Sequence, residues 1–376
     1  MRALHVLTLA VLLLTGCFKI DHGDAVIVTG PRAPPPPSPP FGNFPPVPPA
    51  PPPPTPPPPP APPPPGPTAW SIAFQPDKES VTDLVAHPQE PGVAFALTGV
   101  SLYRTLDTGV VWTQVVTKLA PSGGALAAIA VTGSKVFLAI SRDAFGFAGN
   151  VAVSTNDGSS FAVVTTLSVA YTVLATSETS TQTVFAASFA TASTQARIFR
   201  SDDGALGWSS VLTLLPNTQF LDLAVAPTDS RVAIAAVGNQ GGVAITTDGG
   251  GTWSTALAGL PVTCVTVSPT SSSTLYAGVS SKEVHRSTNG GATWSKVMTI
   301  FTPRTLRVAP SDPTILYAAT AADGAFSSPS SAASWFPANL GISQLSLSAV
   351  AVDRANPLLV FGTEGVRVYR TTSGGK

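Results

Sequence analysis

Residues 246–253 read Thr246-Thr247-Asp248-Gly249-Gly250-Gly251-Thr252-Trp253, and this octet decides the fold. A hydroxyl residue is followed two places on by Asp, then by glycine, and the stretch closes on an aromatic. Asp and Asn side chains bond backbone amides of their own turn, and glycine takes backbone shapes that other residues resist. The octet therefore reads as a tight turn between two strands. It recurs in full at Thr105–Trp112, Ser154–Phe161 and Ser287–Trp294, and Ser201–Trp208 carries Ala205 where glycine is expected. Ser328–Trp335 keeps only the ends, and Thr371-Thr-Ser-Gly-Gly375 starts a seventh copy that stops at Lys376. The starts at 105, 154, 201, 246, 287, 328 and 371 lie 49, 47, 45, 41, 41 and 43 residues apart. A near-constant period of this size marks a repeat architecture.

Each copy is preceded by similar text. Leu223-Ala-Val-Ala-Pro227, Val265-Thr-Val-Ser-Pro269, Leu306-Arg-Val-Ala-Pro310 and Leu84-Val-Ala-His-Pro88 are each followed by a second apolar run. Short apolar runs bounded by Pro, Asp, Ser and Gly are strands. A third strand enters each octet, as at Leu102–Arg104, and a fourth leaves it, as at Trp253–Leu257. Four strands in a period of about 44 residues make one blade of a propeller.

The octets resemble the Asp-box, or BNR, repeat of sialidases and related propellers, over residues 69–376. The resemblance implies an all-β, seven-bladed β-propeller, with each octet a hairpin between the third and fourth strands. It makes Asp107, Asn156, Asp203, Asp248 and Asn289, with the aromatics Trp112, Phe161, Trp208, Trp253 and Trp294, structural residues of those hairpins. The seventh octet lacks its aromatic and fourth strand, and Trp70-Ser-Ile-Ala-Phe74 supplies the missing text. Residues 70–74 are expected to close the ring as the outer strand of the last blade.

Ahead of the propeller the chain carries an address. Leu4–Leu14 is an apolar run too short to span a bilayer and suited to a signal peptide. It ends in Leu14-Thr15-Gly16-Cys17, which resembles a bacterial lipobox. That resemblance implies removal of residues 1–16, a lipid on Cys17, and anchoring in a bilayer of the cell envelope. Phe18 in place of an aspartate favours the outer membrane. Residues 17–30 form a short segment. Residues 31–67 hold 25 of the 39 prolines and are expected to form a polyproline II spacer. Residues 68–376 are the propeller domain.

Charged residues are only 11% of the chain, and Lys+Arg and Asp+Glu balance at 20 each. Such a chain has no electrostatic footprint for nucleic acid. Two cysteines, Cys17 and Cys264, exclude a disulfide framework, and the 4 His form no metal-binding motif. No cofactor and no metal are expected, and the propeller is read as a monomer. Cys264, between apolar residues on an inner strand, reads as a buried, inert thiol.

Candidate chemistry is sparse. Asp83 and Asp222 stand at the same place in their blades, five residues before Pro88 and Pro227, and are expected to face the central channel from blades 1 and 4. Glu283, Asp323 and Glu364 fall in corresponding loops of blades 5, 6 and 7. Two carboxyl groups about 5–10 Å apart would suffice for a glycosidase. Sialidases, by resemblance, need three arginines, a Tyr/Glu pair and an Asp. Arg142, Arg304, Arg307 and Tyr171 do not assemble that set. The loop from Ser141 to Asn150 offers Phe145 and Phe147 beside Arg142, suited to stacking on a sugar or gripping a partner. The favoured expectation is a non-catalytic envelope propeller that binds a glycan or a protein. A sialidase-like or glucanase-like glycoside hydrolase and an envelope assembly factor are the alternatives.

Overall fold

The computed structural model describes residues 69–375 except 77–78, 118–123, 142–148, 168–170, 189–194, 216–217 and 300. These residues hold 28 strands in seven four-stranded antiparallel sheets and no helix. Each sheet is one blade of a β-propeller. The innermost strands are Val81–Ala86, Ala125–Thr132, Tyr171–Ser177, Phe220–Ala226, Val262–Ser268, Pro303–Val308 and Ala349–Val352. In six blades the strands follow one another in chain order. In the seventh, Ser71–Phe74 forms the outermost strand, antiparallel to Arg367–Thr371 with Ser71 opposite Arg370 and Phe74 opposite Val368. The N-terminal strand thus closes the ring.

There is no single core. Buried side chains fall into seven clusters, one in each seam between adjacent blades, including the seam of blade 7 with blade 1. The repeat-turn aromatics belong to these seams. Phe161, Trp208, Trp253, Trp294, Trp335 and Trp112 each pack against the preceding blade. Trp70 takes that place for blade 7 and is 3% exposed.

The turns explain the octet residue by residue. The first hydroxyl accepts the N–H of the fifth residue in all seven copies, from Gly109 on Thr105 at 2.9 Å to Gly375 on Thr371 at 3.0 Å. The third side chain accepts the N–H of the seventh residue, as Asp248 does from Thr252 at 2.9 Å and Asn289 from Thr293 at 2.9 Å. The fifth residue is left-handed throughout, and Ala205 (φ 75°) and Ala332 (φ 71°) adopt the shape that glycine adopts elsewhere. In the sixth copy Ser330 does the work of the missing aspartate by accepting the N–H of Ser334 at 3.0 Å. Arginines just ahead of the turns tie blades together. Arg200 donates to Gly249 O at 2.7 Å, Arg370 to Thr108 Oγ1 at 3.1 Å, and Arg104 to Asp157 O.

Candidate functional site

Antiparallel strands fix which ends share a face. The repeat turns and the turns that leave the innermost strands lie on one face. The turns between second and third strands and the connections between blades lie on the other, the loop face. The innermost strands line a central cavity of about 430 Å³.

Near its loop-face end each of six innermost strands carries a bulge, and Asp83, Cys264 and Asp222 are the first paired residues after it in blades 1, 5 and 4. Both aspartates are on the cavity wall. Asp83 Oδ1 accepts the N–H of Leu84 at 2.8 Å and its carboxylate is also bonded by the backbone of Ile129 in blade 2. Asp222 repeats the arrangement further round the ring. Its Oδ1 accepts from Leu223 N at 2.8 Å and its Oδ2 from Val265 N of blade 5 at 2.9 Å. Each carboxylate therefore staples its own innermost strand to that of the next blade. Burial pushes both above the ordinary aspartate value, against the through-space pull of the Arg307 guanidinium on the same wall. Acids that serve as backbone acceptors are poorly placed to trade protons with a substrate.

Two of the three loop-face carboxylates are also engaged. Glu364 is 7% exposed, accepts Tyr369 O–H at 2.9 Å and lies 3.8 Å from Arg367. Tyr369 shares a 2.6 Å hydrogen bond with Ser343. Glu283 meets His285 Nε2 at 2.8 Å and Lys296 Nζ at 3.3 Å, and the hydrogen bond from His285, with Lys296 behind it, holds its carboxyl below the usual glutamate range. Asp323 is exposed in the turn between two blade-6 strands. The structure does not gather these three into one site. Tyr171 is fully buried against Phe199 and Trp208, a core residue and not a site tyrosine. Phe145, Phe147, Arg142, Cys17 and the segment 31–67 lie outside the described residues.

The loop face instead presents aliphatic side chains. Leu215 is 77% exposed, Leu340 54%, Val100 46%, Leu221 46% and Leu345 44%. Val100, Leu215, Leu340 and Leu345 lie in loop-face turns or connections, whereas Leu221 lies on the innermost strand of blade 4 and, with exposed Arg304, forms part of the rim of the central cavity. Leu221 and Arg304 are the bulge residues of blades 4 and 6, which is why they turn toward the mouth.

Sequence reasoning missed one cluster on the opposite face. Ligand atoms of His87, Glu90 and Asp157 lie within 4.8 Å of one another. His87 is 2% exposed, and its Nδ1 accepts the N–H groups of Gln89 at 3.1 Å and Glu90 at 2.9 Å. A neutral ring that accepts at Nδ1 carries its proton on Nε2, the atom aimed at Asp157 Oδ1 at 3.8 Å. That tautomer offers a metal no lone pair at Nε2. The ring is a turn cap, equivalent in position to Asp353 of blade 7, whose Oδ1 accepts from Ala355 and Asn356 and whose Oδ2 accepts from Gly92 of blade 1. The signal was legible in the repeats, where His87 and Asp353 each directly follow an innermost strand.

No protein-family model matches the chain, and no curated protein matches it. Solved structures do. A YCF48 bound to a D1 peptide superposes with a TM-score of 0.60 at 14% identity, covering 81% of this chain and 95% of that one. The GH74 xyloglucanase of Xanthomonas campestris gives 0.64 at 17% identity, and a GH74 enzyme of Niastella koreensis gives 0.65 at 16%. These cover 80% and 81% of this chain, which spans about half of theirs, 53% and 54%. At such identities the likeness is one of fold: a seven-bladed β-propeller of the kind found both in a peptide-bound protein and in glycoside hydrolases.

Proposed function

We propose that this chain is a non-catalytic binding propeller whose loop face takes a segment of another protein. The observation that carries the reading is the contrast on and beside that face. The buried carboxylates are committed to backbone or side-chain partners within the propeller, whereas Leu221 at the cavity mouth and Val100, Leu215, Leu340 and Leu345 elsewhere on the loop face are exposed. Glycoside hydrolysis needs one carboxyl free to give a proton and another free to attack or to activate water, and Asp83 and Asp222 are spent on seams. An exposed leucine at the rim of a concave centre, with further aliphatics on the same face, suits the side chains of an extended peptide. The YCF48 structure with its peptide supports the reading by analogy of fold. We further propose, from the sequence, that the propeller is held at the bacterial envelope by a lipid on Cys17 and spaced from it by the proline segment.

A peptide array probed with the full-length chain tests this. Binding is expected to fall at least tenfold with Leu221→Glu, since a charge would be buried in the interface, and to survive Leu106→Glu on the opposite face. Binding that ignores Leu221, or release of reducing sugar from xyloglucan, would contradict the proposal.

A further inference from the structure

Of the seven ion pairs among the described residues, six join residues of one blade or of adjacent blades. The exception is Arg354, whose Nη1 donates to Glu178 Oε2 at 2.5 Å across 176 residues of chain. Glu178 leaves the innermost strand of blade 3 and lines the central cavity, and Arg354 leaves that of blade 7. Blades 3 and 7 stand nearly opposite in a ring of seven. The pair is therefore a chord across the repeat-turn mouth, with blades 1 and 2 on one side and blades 4–6 on the other.

Neither end is loose. Asp353, next to Arg354, caps its own turn through Ala355 and Asn356 and takes the N–H of Gly92 in blade 1 at 2.6 Å. Ser177, next to Glu178, donates to Ala226 O of blade 4 at 2.7 Å. Both turns are thus pinned to the following blade before the charges meet. An arginine and a glutamate held on fixed turns make a charge-assisted bond at little entropic cost.

We propose that Glu178 and Arg354 form a strap that bars the repeat-turn mouth, so that the central cavity is a pocket entered from the loop face alone. The Arg354 and Glu178 side chains are 37% and 24% exposed, so the strap is screened by salt. It closes the cavity at the face opposite the one that takes the ligand.

Thiol accessibility tests the strap in the full-length chain. Cys264→Ser removes the buried native thiol, and Ala224→Cys places a probe on the cavity wall. Leu221→Trp obstructs the loop-face mouth. Labelling of residue 224 by a small methanethiosulfonate is timed by peptide mass, with thermal melts on every variant. With the strap intact, Leu221→Trp is expected to slow labelling. Arg354→Ala should then speed it roughly fivefold or more, and the exchanged pair Glu178→Arg with Arg354→Glu should slow it again. If Arg354→Ala melts early, Glu178→Gln, which removes charge and keeps shape, takes its place. Equal rates with and without the strap in chains that melt alike would overturn the proposal. So would failure of Leu221→Trp to slow the strapped chain, or failure of the exchanged pair to restore slow labelling.

Discussion

Trp70 donates its indole N–H to the carbonyl of Ala338 at 2.6 Å, across 268 residues of chain. Its ring sits over the last turn, where a Cβ added to Gly375 would lie 2.1 Å from the indole nitrogen. Trp70 thus closes a turn whose other residues lie at the far end of the sequence. It joins the buried cluster in the seam of blades 6 and 7 from just ahead of the N-terminal strand.

Trp70→Ala should therefore cost about 3–5 kcal/mol, the usual loss for a buried tryptophan. Because blade 7 borders both blade 6 and blade 1, the loss should appear as a lower melting temperature of the whole propeller. A melt equal to that of the parent chain would show that the ring does not rely on this closure.

The repeat turns predict how blade 4 answers to change at Asp248. Asn156 and Asn289 fill the same place and accept the same backbone N–H at 2.9 Å. Asp248→Asn should melt near the parent, and Asp248→Ala below it. Hydrogen bonds from Thr252 and Thr246 hold the Asp248 carboxyl well below its ordinary value. A depressed acid stabilises above its unfolded pKa and loses that contribution as the pH falls through the folded one. Any advantage of the parent over the Asp248→Asn variant should then fade under strong acid, as melts across an acid series would show.

Asp222 predicts the opposite sign. Asp222→Ala strands the N–H groups of Leu223 and Val265, which should cost about 1–3 kcal/mol. Burial raises the Asp222 pKa, so above the ordinary aspartate value the folded chain holds a proton that the unfolded chain has released. Stability then declines as pH rises from that value to the raised one. The gap between parent and Asp222→Ala should be widest at the acid end of this window. Urea titrations at several pH values would check it, and a gap that widens with pH would contradict the burial account.

Cys264 should be silent in the folded chain. It is fully buried, and burial with the nearby Asp222 charge pushes its thiol up to about 12. Iodoacetamide at pH 8 should leave residue 264 unmodified until denaturant is added, as peptide mass would report. Rapid native labelling would mean that the seam of blades 5 and 6 opens readily.

Much of the fold was legible because its parts are local. Octets at near-constant spacing, apolar runs ahead of them and Trp70–Phe74 at the start dictate blades, count and closure through short-range turn chemistry. Even so, the sixth copy is degenerate in sequence, because Ser330 stands where the first five carry Asp or Asn and accepts the same backbone N–H. The candidate site was harder to read, because it depends on which backbone groups face a side chain across a seam. Asp83 and Asp222 share a position in the repeat, but no pattern of residues says that each would take an N–H from the next blade. Glu178 and Arg354 meet only because a ring of seven sets blades 3 and 7 opposite each other.

The most direct measurement is hydrogen exchange of the full-length chain with and without a peptide selected on the array. The loop-face reading predicts new protection at residues 98–101, 218–222 and 339–347, with the repeat turns at 105–112 and 201–208 unchanged. Protection at those repeat turns, with the loop face unaltered, would contradict it.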